Sequence, residues 1–126
     1  MDKQDDTRRQ QAKFWLDYSQ QLSTAIRYVE ALAAAERAIR LDKTSAEAHY
    51  VRGTCQAMLA HYDEALLDFD AALRLNADYV PAWDGKAWVL GIKGQKTEAL
   101  AAINKALELD PEYFEALKRK RRLEAM

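Results

Sequence analysis

Few residues in this 126-residue chain could carry chemistry. Its one cysteine, Cys55, lies six residues after His49 and six before His61. That spacing spreads side chains around a helix and a turn instead of gathering them on one coordinating face. Two histidines and a thiol also fall short of the usual four-ligand zinc set. Cys55 reads instead as a small buried hydrophobe, and a lone cysteine excludes an intramolecular disulfide. Asp68 and Asp70 are two apart, hence on different helix faces. Gly91-Ile92-Lys93-Gly94 lacks the spacing of a phosphate loop and reads as a helix end. Nothing local pairs a nucleophile with a base. The expectation is a chain that is not an enzyme and uses no cofactor and no metal.

One charged cluster stands out: Lys118, Arg119, Lys120, Arg121 and Arg122. Five consecutive cations attract phosphates, yet a helix distributes them around its circumference. The plain reading is a solvated face on a terminal helix, and the sharper alternative is contact with a polyanion or an acidic partner. A formal net charge of -1 argues against a polyanion-binding surface over the whole molecule. Phe114, Leu117 and Leu123 form too narrow an apolar face for a membrane-surface helix.

The positions that hold these residues are helical in pattern. From Ala12 to about Ala25, Trp15, Tyr18, Leu22 and Ala25 recur at spacings of three and four. A turn at Arg27–Tyr28 precedes a helix from Val29 to Leu41, in which Leu32, Ala35, Ala38 and Ile39 give an apolar side. Thr44 or Ser45 can cap the next helix, which runs from Glu47 to about Leu59 and is followed by Asp63 to Leu75. Residues 79–92 and 96–109 repeat the pair, Gly94 suits a left-handed helix exit, and Pro111 stops the chain's sixth helix. The segment after Pro111 reads as a seventh. With four glycines and two prolines there is little room for long loops, so neighbouring helices run antiparallel. The amino-terminal MDKQDDTRRQQAK has no apolar core like that of a secretory signal, and no stretch reaches the ~20 apolar residues that cross a bilayer. A cytoplasmic protein without a transmembrane segment is the expectation.

ERAIRLD, DAALRLN and NKALELD recur at one fixed interval, and two alanine registers, Ala31/Ala65/Ala99 and Ala38/Ala72/Ala106, keep the same period. Alanines at such positions permit close helix packing. These units, each of about 34 residues, resemble tetratricopeptide repeats. Unit three supplies Trp83, Ala87, Leu90, Ala99, Ile103, Ala106 and Pro111; unit two supplies His49, Gly53, Tyr62, Ala65, Phe69 and Ala72; unit one supplies Trp15, Ser19, Leu22, Tyr28, Ala31 and Ala38. Unit one departs most, with Ala35 at the bulky position and Lys43 at the proline position. The resemblance implies an all-α, right-handed superhelical stack of antiparallel helix pairs, a seven-helix α-solenoid. It divides the chain into a polar lead-in at 1–11, repeats at 12–45, 46–79 and 80–113, and a capping helix at 112–125.

The resemblance further implies a concave groove lined by the first helix of each pair, where a peptide or partner-protein surface lies. Helix geometry then nominates Leu16, Gln20, Ser23 and Thr24 in unit one; Tyr50, Thr54, Ala57 and Met58 in unit two; and Asp84, Trp88, Gly91 and Ile92 in unit three. Some members of the family clamp a terminal carboxylate with lysines and asparagines; this chain has Leu16, Gln20, Val51, Tyr50 and Thr54 at the matching places. The implied activity is protein–protein interaction without that clamp, with Tyr50, Met58, Trp88 and Ile92 suited to apolar anchors. A structural or self-associating scaffold, a homo-oligomer, is the alternative.

Overall fold

In a computed structural model the chain is described from residue 3 to residue 126. Seven α-helices follow one another: α1 (Lys3–Thr24), α2 (Tyr28–Leu41), α3 (Ala46–Met58), α4 (Tyr62–Leu75), α5 (Val80–Ile92), α6 (Lys96–Leu109) and α7 (Phe114–Glu124). The polar residues separated by sequence as a lead-in are helical from Lys3 onward, so α1 is the longest helix; residues 1 and 2 of that lead-in lie outside the described residues. No helix among the described residues is long and apolar enough to cross a membrane.

The same two turns recur once in every repeat. Within each pair the chain reverses through a residue with left-handed backbone: Ile26 (φ 61°), Ala60 (φ 63°) and Gly94 (φ 78°). The following amide donates back across the helix end, from Arg27 to Leu22, His61 to Gln56 and Gln95 to Leu90, at 2.8–2.9 Å. This satisfies carbonyls that would otherwise lack partners. Only the third turn carries the glycine that adopts this conformation without strain. Between pairs, Asp42, Asn76 and Asp110 each accept the amide of the residue two further on, at 3.0–3.1 Å. Ser45 caps α3 by accepting the Ala48 amide at 3.0 Å, and Pro81 stands in the first turn of α5, where its missing amide costs nothing.

Packing follows from small residues at the crossings. Ala31, Ala65 and Ala99 are fully buried, as are Ala35, Ala72 and Ala106. Each helix packs against the next in the chain, and the odd helices also touch one another (α1 with α3, α3 with α5, α5 with α7), whereas among the described residues the even ones do not. The stack therefore curves, with α1, α3 and α5 on its inner side. This is the α-solenoid of antiparallel helix pairs expected from the repeat.

α7 occupies the place of the first helix in a fourth unit. Ala116 is as buried as Ala48 and Ala82, its equivalents two repeats and one repeat earlier. The side that would receive a partner helix has changed character. Trp83, Ala87 and Leu90 in α5 become Leu117, Arg121 and Glu124 in α7, all exposed. A repeat stack needs such a water-facing end.

The bulky residue of the middle unit, Phe69, is fully buried and fills the space left by two glycines. A Cβ added at Gly53 or at Gly85 would stand 2.8 Å from its ring. Gly85→Ala is expected to destabilise the fold by about 1–3 kcal/mol through overpacking. Combined with Phe69→Leu it should cost less than the sum of the two changes, as urea titrations of the four proteins would show.

Candidate functional site

The inner face is built from α1, α3 and α5, whose residues one helical turn apart point to the same side. An open cleft of about 260 Å³ between α1 and α3 is lined by Gln20, Ser23, Thr24, Tyr50, Val51 and Thr54. Five of the nominated groove residues, Gln20, Ser23, Thr24, Tyr50 and Thr54, thus come together. Their polar groups are partly engaged. Gln20 Nε2 donates to Glu47 Oε1 of α3 at 3.3 Å, while the Thr24 and Thr54 hydroxyls donate to the carbonyls of Gln20 and Tyr50 at 3.0 and 3.1 Å. The lining is neutral, with hydroxyl and amide groups around an aromatic floor.

Tyr50 is half-buried, its ring centre 5.8 Å from that of Phe69 and 5.7 Å from that of Tyr79. Burial pushes its phenol up from the ordinary value. Trp88 is also half-buried, packed on the cluster of Ala57, Ala65, Phe69 and Val89. The Arg119 guanidinium lies 5.9 Å from the Trp88 ring centre. Each aromatic residue is therefore partly packed and partly exposed. Met58 and Ile92, at the far ends of α3 and α5, are 44% and 48% exposed.

Three nominated groove residues lie elsewhere, and one of them, Ala57, is 4% exposed and belongs to the core with Ala65, Phe69 and Val89. Leu16 is only 7% exposed and belongs to the core shared with Ala34, Ala35, Ala38 and Ala48, where small neighbours leave depth for its side chain. Asp84 is 6% exposed and accepts from Arg119 at 2.7 and 3.2 Å, a fork-to-fork pair joining α5 to α7. Asp84 is thus neutralised from within the chain and is not available to a ligand in the groove. The same contact removes Arg119 from the basic cluster: it is an internal tie, while Lys118, Arg121 and Arg122 are exposed and Lys120 is half-buried. Lys118 Nζ sits 4.9 Å from the Phe114 ring centre. Sequence reasoning missed the tie, although Asp84 and Arg119 are separated by one repeat plus one residue, the spacing that adjoins two inner helices.

A second pair of this kind holds the middle unit. Asp68 accepts from Arg52 at 2.7–3.1 Å, and burial still pushes its carboxyl above the ordinary range, against the pull of Arg52. Burial likewise raises the Cys55 thiol, whose side chain is fully enclosed. Among the described residues no three of His, Cys, Asp and Glu gather where a metal could bind.

Two measurements test this description. Arg119→Met leaves Asp84 buried without its partner and is expected to cost about 3–5 kcal/mol, with hydrogen exchange rising first along α7. Adding Asp84→Asn should recover part of the loss. Separately, burial pushes the phenols of Tyr79 and Tyr113 up to about 12. Because the folded state holds these protons more tightly than the unfolded one, their contribution to stability is complete below pH ~10 and is lost as pH rises towards 12. In Tyr79→Phe/Tyr113→Phe the late-rising phenolate absorbance should fall by two groups, with the buried Tyr50 phenol still titrating late.

Comparison with known proteins agrees with this geometry. Residues 80–113 match the tetratricopeptide repeat family. No curated protein matches the chain significantly. Among solved structures, the Arabidopsis OM64 TPR domain is 19% identical with a TM-score of 0.90, the match covering 94% of this chain and 98% of that one. The first TPR of Spaghetti (RPAP3), bound to an HSP90 peptide, is 22% identical with a TM-score of 0.87, covering 92% of each chain. The TPR2B domain in the pHsp70 complex of yeast Sti1 is 18% identical with a TM-score of 0.84, covering 94% and 98%.

Proposed function

We propose that this chain, a tetratricopeptide repeat protein by its repeat and its fold, is a non-catalytic interaction module that holds a peptide or partner-protein surface in its concave groove without gripping a terminal carboxylate. The observation that carries the reading is the convergence of Gln20, Thr24, Tyr50 and Thr54 on one cleft of the inner face. Trp88 packs on the same buried cluster as Tyr50. Half-buried aromatic residues of this kind are already ordered, so a ligand side chain gains contact area at low entropic cost. The similar domain of Spaghetti (RPAP3) is bound to a peptide, which supports a peptide as the occupant.

The lack of a carboxylate clamp rests on the residues in its place. Leu16 and Val51 are buried and apolar, Gln20 and Thr54 are neutral, and the Arg52 and Arg119 guanidiniums are held by Asp68 and Asp84. A free carboxylate entering this face would lose its water without a cation to replace it. The ligand suited to the groove is an internal, extended or helical segment with apolar or aromatic anchors and uncharged polar neighbours.

Peptides selected from a display library with free and with blocked carboxyl termini test both parts. Tyr50→Ala/Trp88→Ala should weaken the selected peptides by about 2 kcal/mol or more, while circular dichroism stays helical. Blocking the terminus should leave affinity unchanged. Binding that survives the double change rejects the groove, and binding that requires a free terminus rejects its clampless character.

A further inference from the structure

The amino-terminal end of the stack carries a second surface, on the opposite side of α1 from the core. In α3, α5 and α7 the face that receives the preceding helix begins with alanine: Ala48, Ala82 and Ala116, each 0–1% exposed. The equivalent residue of α1 is Phe14, which is 62% exposed, and one turn later Tyr18, at 41%, replaces Arg52, Lys86 and Lys120. The two rings stack with centres 6.4 Å apart. Gln11, Gln21 and Ala25 continue the face on either side, all exposed and uncharged.

Two features bear on what could cover it. First, another repeat in series would bring its helix as close as an alanine permits, and a phenylalanine at that position excludes such an approach. The occupant is a helix held further away, within the range that larger contact residues allow. Second, the face is self-complementary. Lys13 and Asp17 form an ion pair at 3.6 Å along one edge of the Phe14–Tyr18 surface. An antiparallel pairing of two α1 helices about a two-fold axis level with residue 16 sets each Phe14 beside the partner's Tyr18. It also places Gln11 opposite the partner's Gln21, and Lys13 next to the partner's Asp17. Opposite charges meet at the edge and no charge is buried in the middle, as an isologous interface requires. We propose that α1 is a homodimerisation face, so that a second copy of this chain packs across Phe14 and Tyr18. Gln20 and Thr24 of the concave groove lie on the stripe that continues Lys13 and Asp17, beside this face and not on it.

Sedimentation equilibrium on the full chain, from micromolar to millimolar concentration, tests this. The wild-type mass should rise from 14.4 kDa towards twice that value. Phe14→Glu/Tyr18→Glu should remain at the monomer mass with unchanged helicity, and Trp88→Ala should dimerise as the wild type does. Lys13→Glu and Asp17→Lys should each dimerise at least about tenfold more weakly alone, while an equimolar mixture of the two regains association. A wild type that stays monomeric at millimolar concentration overturns the proposal, whether another protein's helix or only water then covers the face. So does a dimer that persists in Phe14→Glu/Tyr18→Glu, and so does a charge-variant mixture no stronger than its components.

Discussion

Close approach of helix backbones at alanine is the constraint from which the other features follow. Where Ala31, Ala65, Ala99 and their partners sit, neighbouring helices have no side chain to hold them apart. Each pair can then be placed against the next by the same displacement, and the period of the sequence becomes a geometric period. Larger residues enter only where a matching gap exists, as Phe69 does against Gly53 and Gly85. The first unit has Ala35 where Phe69 and Ile103 stand later, and Leu16, from the inner helix, contributes to that core instead. The loss of Leu16 from the groove is thus tied to the small residue opposite it.

The same constraint arranges the inner face. Helices α1, α3 and α5 meet side by side, so residues from different units become neighbours although an intervening helix separates them in the chain. The cleft of Gln20, Thr24, Tyr50 and Thr54 arises in this way, and so does the tie between Asp84 and Arg119. That tie settles two questions together, since it holds the terminal helix in place and removes a carboxylate and a guanidinium from the surface a ligand would meet. Packed aromatic residues and satisfied ion pairs leave a cleft lined by uncharged side chains.

Much of this was legible in the sequence because a repeat states its own boundaries. The helix pairs, the left-handed turn at Gly94, the stop at Pro111 and the water-facing end helix each follow from local chemistry read at a fixed spacing. What escaped was set by contacts between units. A carboxylate such as Asp84 has the same appearance whether water or Arg119 surrounds it. The burial of Leu16 depends on the depth left by Ala34, Ala35 and Ala38. The helical state of residues 3–11, which carry no apolar stripe, continues α1 beyond the repeat. Phe14 was visible as a hydrophobe, but its place on an open repeat face emerges only when it is aligned with Ala48, Ala82 and Ala116.

We place the partner on the inner face of the odd-numbered helices. Backbone amide chemical shifts followed by NMR, as a selected peptide is titrated into the labelled protein, test it most directly. Perturbations should concentrate at Gln20, Thr24, Tyr50, Thr54 and Trp88, with α2, α4 and α6 largely unchanged. Perturbations centred on those outer helices, or on Lys118 to Arg122 alone, would contradict it.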